Sequence, residues 1–247
     1  MDLNWLDTVL AVPLIGLRPV RNWRRSLRYA DLIEPIVRKI ESTEDVDLAA
    51  VKADGSSNLT LERTDGLVYK LFHDNINVQF QYRFIERSVP GEPKAYLEQV
   101  SPTRTFSESL SMVSEAMIEL LDCLSEQGDP LLINRVGVVA MTRVKPSDVP
   151  PGVQSWIDTF DQPWFHPLRK IEASMLALLR DHDDAIDQCH YRALLDRTAS
   201  DPELNLVMDW QRLLAEPRSI DTKEIIQCVK TATTLFNRAS EVVGGAA

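Results

Sequence analysis

Glycine is scarce here, nine residues in 247, and none falls into a phosphate-cradling pattern. The chain has no P-loop, no dinucleotide-type Gly-x-Gly-x-x-Gly, no Gly-x-Ser-x-Gly elbow and no His-Glu-x-x-His among its four histidines. Those absences exclude the commonest nucleotide, nucleophile and zinc motifs. Cysteine is equally sparse. Cys123, Cys189 and Cys228 are odd in number and far apart, which points to reduced core thiols rather than a disulfide framework or a zinc site. No apolar run approaches the ~20 residues a spanning helix needs, and the stretch from Val9 to Leu17 is broken by Pro13 and Gly16. With no basic segment at Met1-Asp2-Leu3-Asn4, the expectation is a cytoplasmic chain without membrane contact.

What is present is an ordinary globular composition, 44% hydrophobic and 26% charged. The net charge of -10 argues against nucleic-acid binding by the surface at large, because phosphate attraction requires a basic footprint. The charge is unevenly placed. Residues 18–39 hold seven basic side chains (Arg18, Arg21, Arg24, Arg25, Arg28, Arg38, Lys39) against Asp31 and Glu34, a local +5 that leaves -15 elsewhere.

Hydrophobic patterning predicts an antiparallel α+β protein. A strand over Val9–Val20 precedes an amphipathic helix between Ser26 and Glu41, interrupted by Pro35, and a polar connection spans Ser42–Ser57. Leu59 and Leu61 alternate toward Thr64-Asp65-Gly66, and Leu67, Tyr69 and Leu71 alternate away from it. Only a three-residue loop with a left-handed Gly66 puts both apolar rows on one face, opposing Leu61 to Tyr69 and Leu59 to Leu71. A second turn near Asp74-Asn75 is expected to oppose Leu71 to Val78 and Tyr69 to Phe80, and a fourth strand is expected over Lys94–Val100. Thr105-Phe-Ser-Glu108 has capping-box spacing and starts a helix carrying Leu110, Val113, Met117, Leu120, Leu121 and Leu124. In the second half, a strand over Leu131–Val144 leads to a short helix around Val153–Phe160. Ile171–Asp181, Ala185–Asp196 and Leu204–Leu214 read as strands, although Ile171, Met175, Leu178 and Leu179 also fit a helix. A closing helix begins at the capping box Asp221-Thr-Lys-Glu224.

The two halves, 1–130 and 131–247, two units or one continuous domain, therefore share an element order, a β-α-β(3-4)-α unit that reads either as a diverged tandem repeat with long helices packed on one face of the sheet or as a coincidence of generic α+β patterns. On Arg135-Val-Gly137, the long helix before it, Leu206-Val-Met-Asp209 and a last helix carrying Phe236, the chain resembles a sporadically distributed family of bacterial proteins without an agreed activity. It departs from that family at Val138-Val-Ala140, where a second arginine and aromatic residues are expected. The element order is also similar to the tandem saddle of TATA-box-binding proteins, a likeness of topology that does not carry function.

Three groups of residues are candidates for function. Arg21, Trp23, Arg24, Arg25 and Arg28 combine guanidinium planes with aromatic neighbours, suited to phosphates, carboxylates or bases and equally to pairing with the acidic remainder. Arg135 and Arg143 share one face of a strand with Gly137, Val139 and Met141. Asp181, His182, Asp183, Asp184, Asp187, Cys189 and His190 are dense in potential metal ligands, but Asp-rich runs are ordinary turn formers. The resulting expectation is a non-enzymatic macromolecule-binding or adaptor protein of bacterial type, an accessory component of a multi-protein system. It has no cofactor, its partner is another protein or a second copy, and residues 18–39 are the region for nucleic acid. The competing expectation is a metal-dependent hydrolase or nuclease built on Asp181, His182, Asp184 and His190.

Overall fold

The computed structural model describes residues 5–20, 34, 36–38, 42, 47–54, 58–72, 74–88, 96–125, 131–149, 151–165, 168–181, 184–198 and 202–239. It is α+β, with nine antiparallel strands in one sheet ordered β2-β3-β4-β5-β1-β8-β11-β10-β9. These are β1 (Ala11–Pro19), β2 (Leu48–Asp54), β3 (Asn58–Arg63), β4 (Leu67–Leu71), β5 (Ile76–Phe80), β8 (Ile133–Val144), β9 (Lys170–Asp181), β10 (Ala185–Asp196) and β11 (Glu203–Arg218). β6 (Phe84–Arg87) and β7 (Tyr96–Gln99) form a separate hairpin. The expected fourth strand is thus real but belongs to that hairpin, where its exposed Tyr96 and Leu97 contribute nothing to the main core.

β1 and β8 are the central pair, with Ile15 opposite Val138, Gly16 opposite Gly137 and Leu17 opposite Val136. From them β5-β4-β3-β2 extends one way and β11-β10-β9 the other. Pro13 lies inside this central strand without breaking it, because β5 pairs only with Leu14–Leu17 and leaves β1 one-sided at Pro13. Alternation decides which face is covered. Ile15 and Leu17, with Val136, Val138 and Ala140, are buried beneath the helices.

α1 (Phe106–Ser125) covers the first half through Phe106, Val113, Met117 and Leu120. Its start is the expected reciprocal box: the Thr105 N–H donates to Glu108 Oε2 at 2.8 Å and the Glu108 N–H to Thr105 Oγ1 at 3.2 Å. α3 (Thr222–Ala239) joins the same core through Ile225, Cys228, Ala232 and Phe236. Only half of its box forms. The Glu224 N–H reaches Asp221 Oδ1 at 2.8 Å, but the Glu224 carboxylate instead accepts two 2.6 Å bonds from Arg218. α2 (Pro151–Phe160) closes a second, smaller core with Val144, Ile171, Ala193, Leu195, Leu204 and Leu206.

The first hairpin has the expected register, Leu59 opposite Leu71 and Leu61 opposite Tyr69, with Gly66 at φ 100°. The second turn is tighter than expected. Phe72 N–H bonds Asn75 O at 2.7 Å, so Leu71 opposes Ile76, Tyr69 opposes Val78 and Leu67 opposes Phe80. A two-residue slip preserves the face, and alternation alone does not distinguish the two registers. The polar connection over Ser42–Ser57 contains β2, whose Ala, Lys and Asp content hides a strand that exists by pairing with β3. Of the early helix, residues 34 and 36–38 are described and are helical, with Ile36 in the core.

Candidate binding surfaces

The face of the sheet turned away from α1 and α3 carries a polar network at its centre. On β11, Leu204, Leu206, Met208 and Trp210 are buried, which leaves Asn205, Val207, Asp209 and Gln211 on the other face. Asp209 lies opposite Val139 and His190, and Gln211 lies opposite Gly137 and Gln188. Gln211 connects the group: its Nε2 donates to Asp209 Oδ2 at 2.6 Å, and its Oε1 accepts from Gln188 Nε2 at 3.1 Å and Arg135 Nη1 at 3.5 Å. Burial raises the Asp209 carboxyl pKa, and the bond from Gln211 and the charges of Arg135 and His190 oppose that shift. Beside this network, Val12, Leu14, Val139, Met141 and Val207 form a half-buried apolar stripe.

Arg135, Gly137, Val139, Met141 and Arg143 do share this face, as alternation requires. The two arginines differ in their surroundings. Arg143 is exposed and its Nε donates to Glu203 at 2.9 Å. Arg135 is half-buried, meets Gln211 and stands directly across the ladder from Arg18. Two like charges face one another there, and the Asp209 carboxylate on the same face offsets the Arg135 charge. Arg21, Trp23, Arg24, Arg25 and Arg28 lie outside the described residues.

The acidic-histidine run is dispersed. His190 is on the open face, whereas Cys189 is fully buried on the helix side, where burial pushes its thiol up to about 11. Asp187, also on the helix side, is held by Arg212 at 2.7 and 2.8 Å. Asp184 is an exposed residue at the turn, Asp181 ends β9, and His182 lies outside the described residues. Among the described residues no three His, Cys, Asp or Glu side chains gather in a metal-ligating group. Cys228 is buried and its thiol is pushed up to about 12, again mainly by burial. Native protein treated with iodoacetamide at neutral pH is therefore expected to be alkylated at Cys123, with Cys189 and Cys228 reacting only after denaturation; mass spectrometry of the two samples checks this.

The two ends of the sheet differ in length and in the apolar side chains they expose. At one end β2 runs seven residues, slips register between Leu48 and Ala50, and presents Lys52, the last two being features that discourage further strands. At the other end β9 runs twelve residues, pairs only with β10 among the described residues, slips register opposite Asp187 and Gln188, and presents Lys170 and Glu172 at its start. It exposes Leu176 (57%) and Leu178 (74%) toward the open face and Met175 and Leu179 toward the helix face, with Ile186 of β10 alongside. The helix-like spacing of these residues was misleading, because in the strand they divide between two faces. The polar network was signalled by Asn205, Asp209 and Gln211 alternating with apolar residues; β9's edge position was not signalled at all.

No protein-family model matches the chain, and no curated protein does. Among solved structures, an acyl-CoA hydrolase from Agrobacterium tumefaciens aligns over 85% of this chain and 98% of its own, with 7% identity and a TM-score of 0.17. That level of likeness supports no inference about fold or activity.

Proposed function

We propose that this chain is a non-enzymatic binding or adaptor protein whose docking element is the edge strand β9, and that the first occupant of that edge is a second copy. The supporting observation is a twelve-residue edge, paired on one side only among the described residues, with apolar side chains exposed on both faces. Such a strand offers an unpaired backbone ladder to an extended polypeptide and a hydrophobic reason to dock. Charge favours a like partner at this place. Lys170 and Arg180 balance Glu172 and Asp181, so β9 is neutral in a chain of net -10. Antiparallel pairing about Leu176 sets Leu176 on Leu176, Met175 on Ala177 and Leu178 on Ser174, with no like charges opposed from Ala173 to Leu178. We also read the two halves as diverged copies of one unit, supported by Gly16 facing Gly137 at the centre of the β1–β8 pair.

Sedimentation velocity on the purified chain is expected to show a dimer, and the double variant Leu176→Lys/Leu178→Lys a monomer with an unchanged circular dichroism spectrum. A wild-type chain that stays monomeric at its highest soluble concentration overturns the second-copy assignment.

A polyanion is the second reading, favoured by Arg18 standing across from Arg135 at the start of the basic segment. Under it, changing Arg21, Arg24, Arg25 and Arg28 to Ala lowers both the affinity for single-stranded nucleic acid and its salt dependence, because fewer counterions are released. Titrations at two salt concentrations test this, and no binding by the wild type at low salt removes the reading.

A further inference from the structure

On the helix-covered side, a cleft opens over β9, β10 and β11 between α2 and α3. One part, of about 290 Å³, is apolar, walled by Val153 and Trp156 of α2, Met175 of β9, Leu206 and Met208 of β11 and Leu235 of α3. Leu235 and Arg238 border this part and also a neighbouring one of about 420 Å³. In that second part the lining turns polar, with the paired Asp187 and Arg212, and with Lys230 and Thr234.

Two features of the polar part suit an anion. Lys230, Thr234 and Arg238 follow one another at four-residue steps, so they occupy one face of α3. Lys230 and Arg238 are exposed, and neither pairs with a carboxylate among the described residues, in a chain whose net charge is -10. Arg212, by contrast, is already neutralised by Asp187.

We propose that this cleft is a binding site for a single-chain amphipathic anion, an alkyl tail ending in a carboxylate or phosphate. The tail occupies the apolar part among Trp156, Leu206 and Met208. The head lies in the polar part, where Lys230 and Arg238 supply charge. Both volumes fall within the range of small-molecule sites or close to it, roughly 300–1,000 Å³. The proposal does not require self-association through β9, although Met175 borders both the cleft and that edge.

Isothermal titration of the full chain with dodecanoate, dodecyl phosphate and dodecyltrimethylammonium, each below its micellar concentration, tests it. The two anions should saturate at one site per chain and the cation should not. Their ratio tells which head the site prefers. Lys230→Gln/Arg238→Gln, at two exposed positions, should weaken anion binding by about tenfold or more with an unchanged thermal melt. Val153→Trp should abolish binding by filling the apolar part; Met175→Trp, at a more exposed position, makes the same test should the first variant not fold. Equal binding of the cation, full affinity in Lys230→Gln/Arg238→Gln, or no heat with either anion overturns the proposal. Anion binding that disappears in step with dimer formation does so too, because it assigns the cleft to the second copy.

Discussion

Replacing Gly66 by valine is expected to lower the stability of the fold by about 3 kcal/mol or more, a sum of backbone strain and overpacking. Gly66 has φ 100°, a conformation β-branched residues do not tolerate. An added Cβ would lie 2.8 Å from both Gln81 O and Phe80 Cε2. Retreat is blocked on both sides, because Gly66 O accepts the Gln81 N–H at 2.8 Å and the turn is tied by Asp65, which accepts from the Leu67 N–H at 3.2 Å and from Arg63 at 2.7 Å. The loss should appear as a lower urea midpoint with a similar m-value. An unchanged midpoint would show that the bulged turn is not what holds this hairpin in register.

Arg212→Leu is expected to cost about 3–5 kcal/mol at neutral pH, because it leaves a buried carboxylate without its counter-charge. The Asp187 side chain is only 4% exposed and both its oxygens accept from Arg212, whose guanidinium also lies 5.5 Å from the Trp210 ring centroid. The bidentate bond that Arg212 donates to Asp187 is the largest reason the Arg212 pKa is raised. Removing both charges should be far milder than removing one, so Asp187→Leu/Arg212→Leu should recover most of the loss. Chemical denaturation of the two single variants and the double variant completes the cycle. Additive losses would mean the pair contributes no coupling.

Much of this molecule is legible in local pattern. The capping box at Thr105–Glu108, the apolar rows on α1 and α3, and the forced φ at Gly66 each depend on residues within a few positions of one another, and local stereochemistry settles them. The α+β class and the alternation on β11 are legible for the same reason. Elements whose existence depends on a distant partner are not. β2 is a strand because β3 pairs with it, β7 left the main sheet because its partner is β6, and β9 is a strand because β10 outweighs its local preference for helix. The candidate surfaces follow the same division. Alternation alone puts Arg135 and Arg143 on one face, but Gln211 joins Asp209 to Arg135 only because β11 lies beside β8. Likewise, only tertiary packing put β9 at an edge with both faces exposed and brought Lys230 and Arg238 beside Trp210. Strand neighbours are chosen by the total apolar area buried across the whole sheet, a quantity no short window of residues contains.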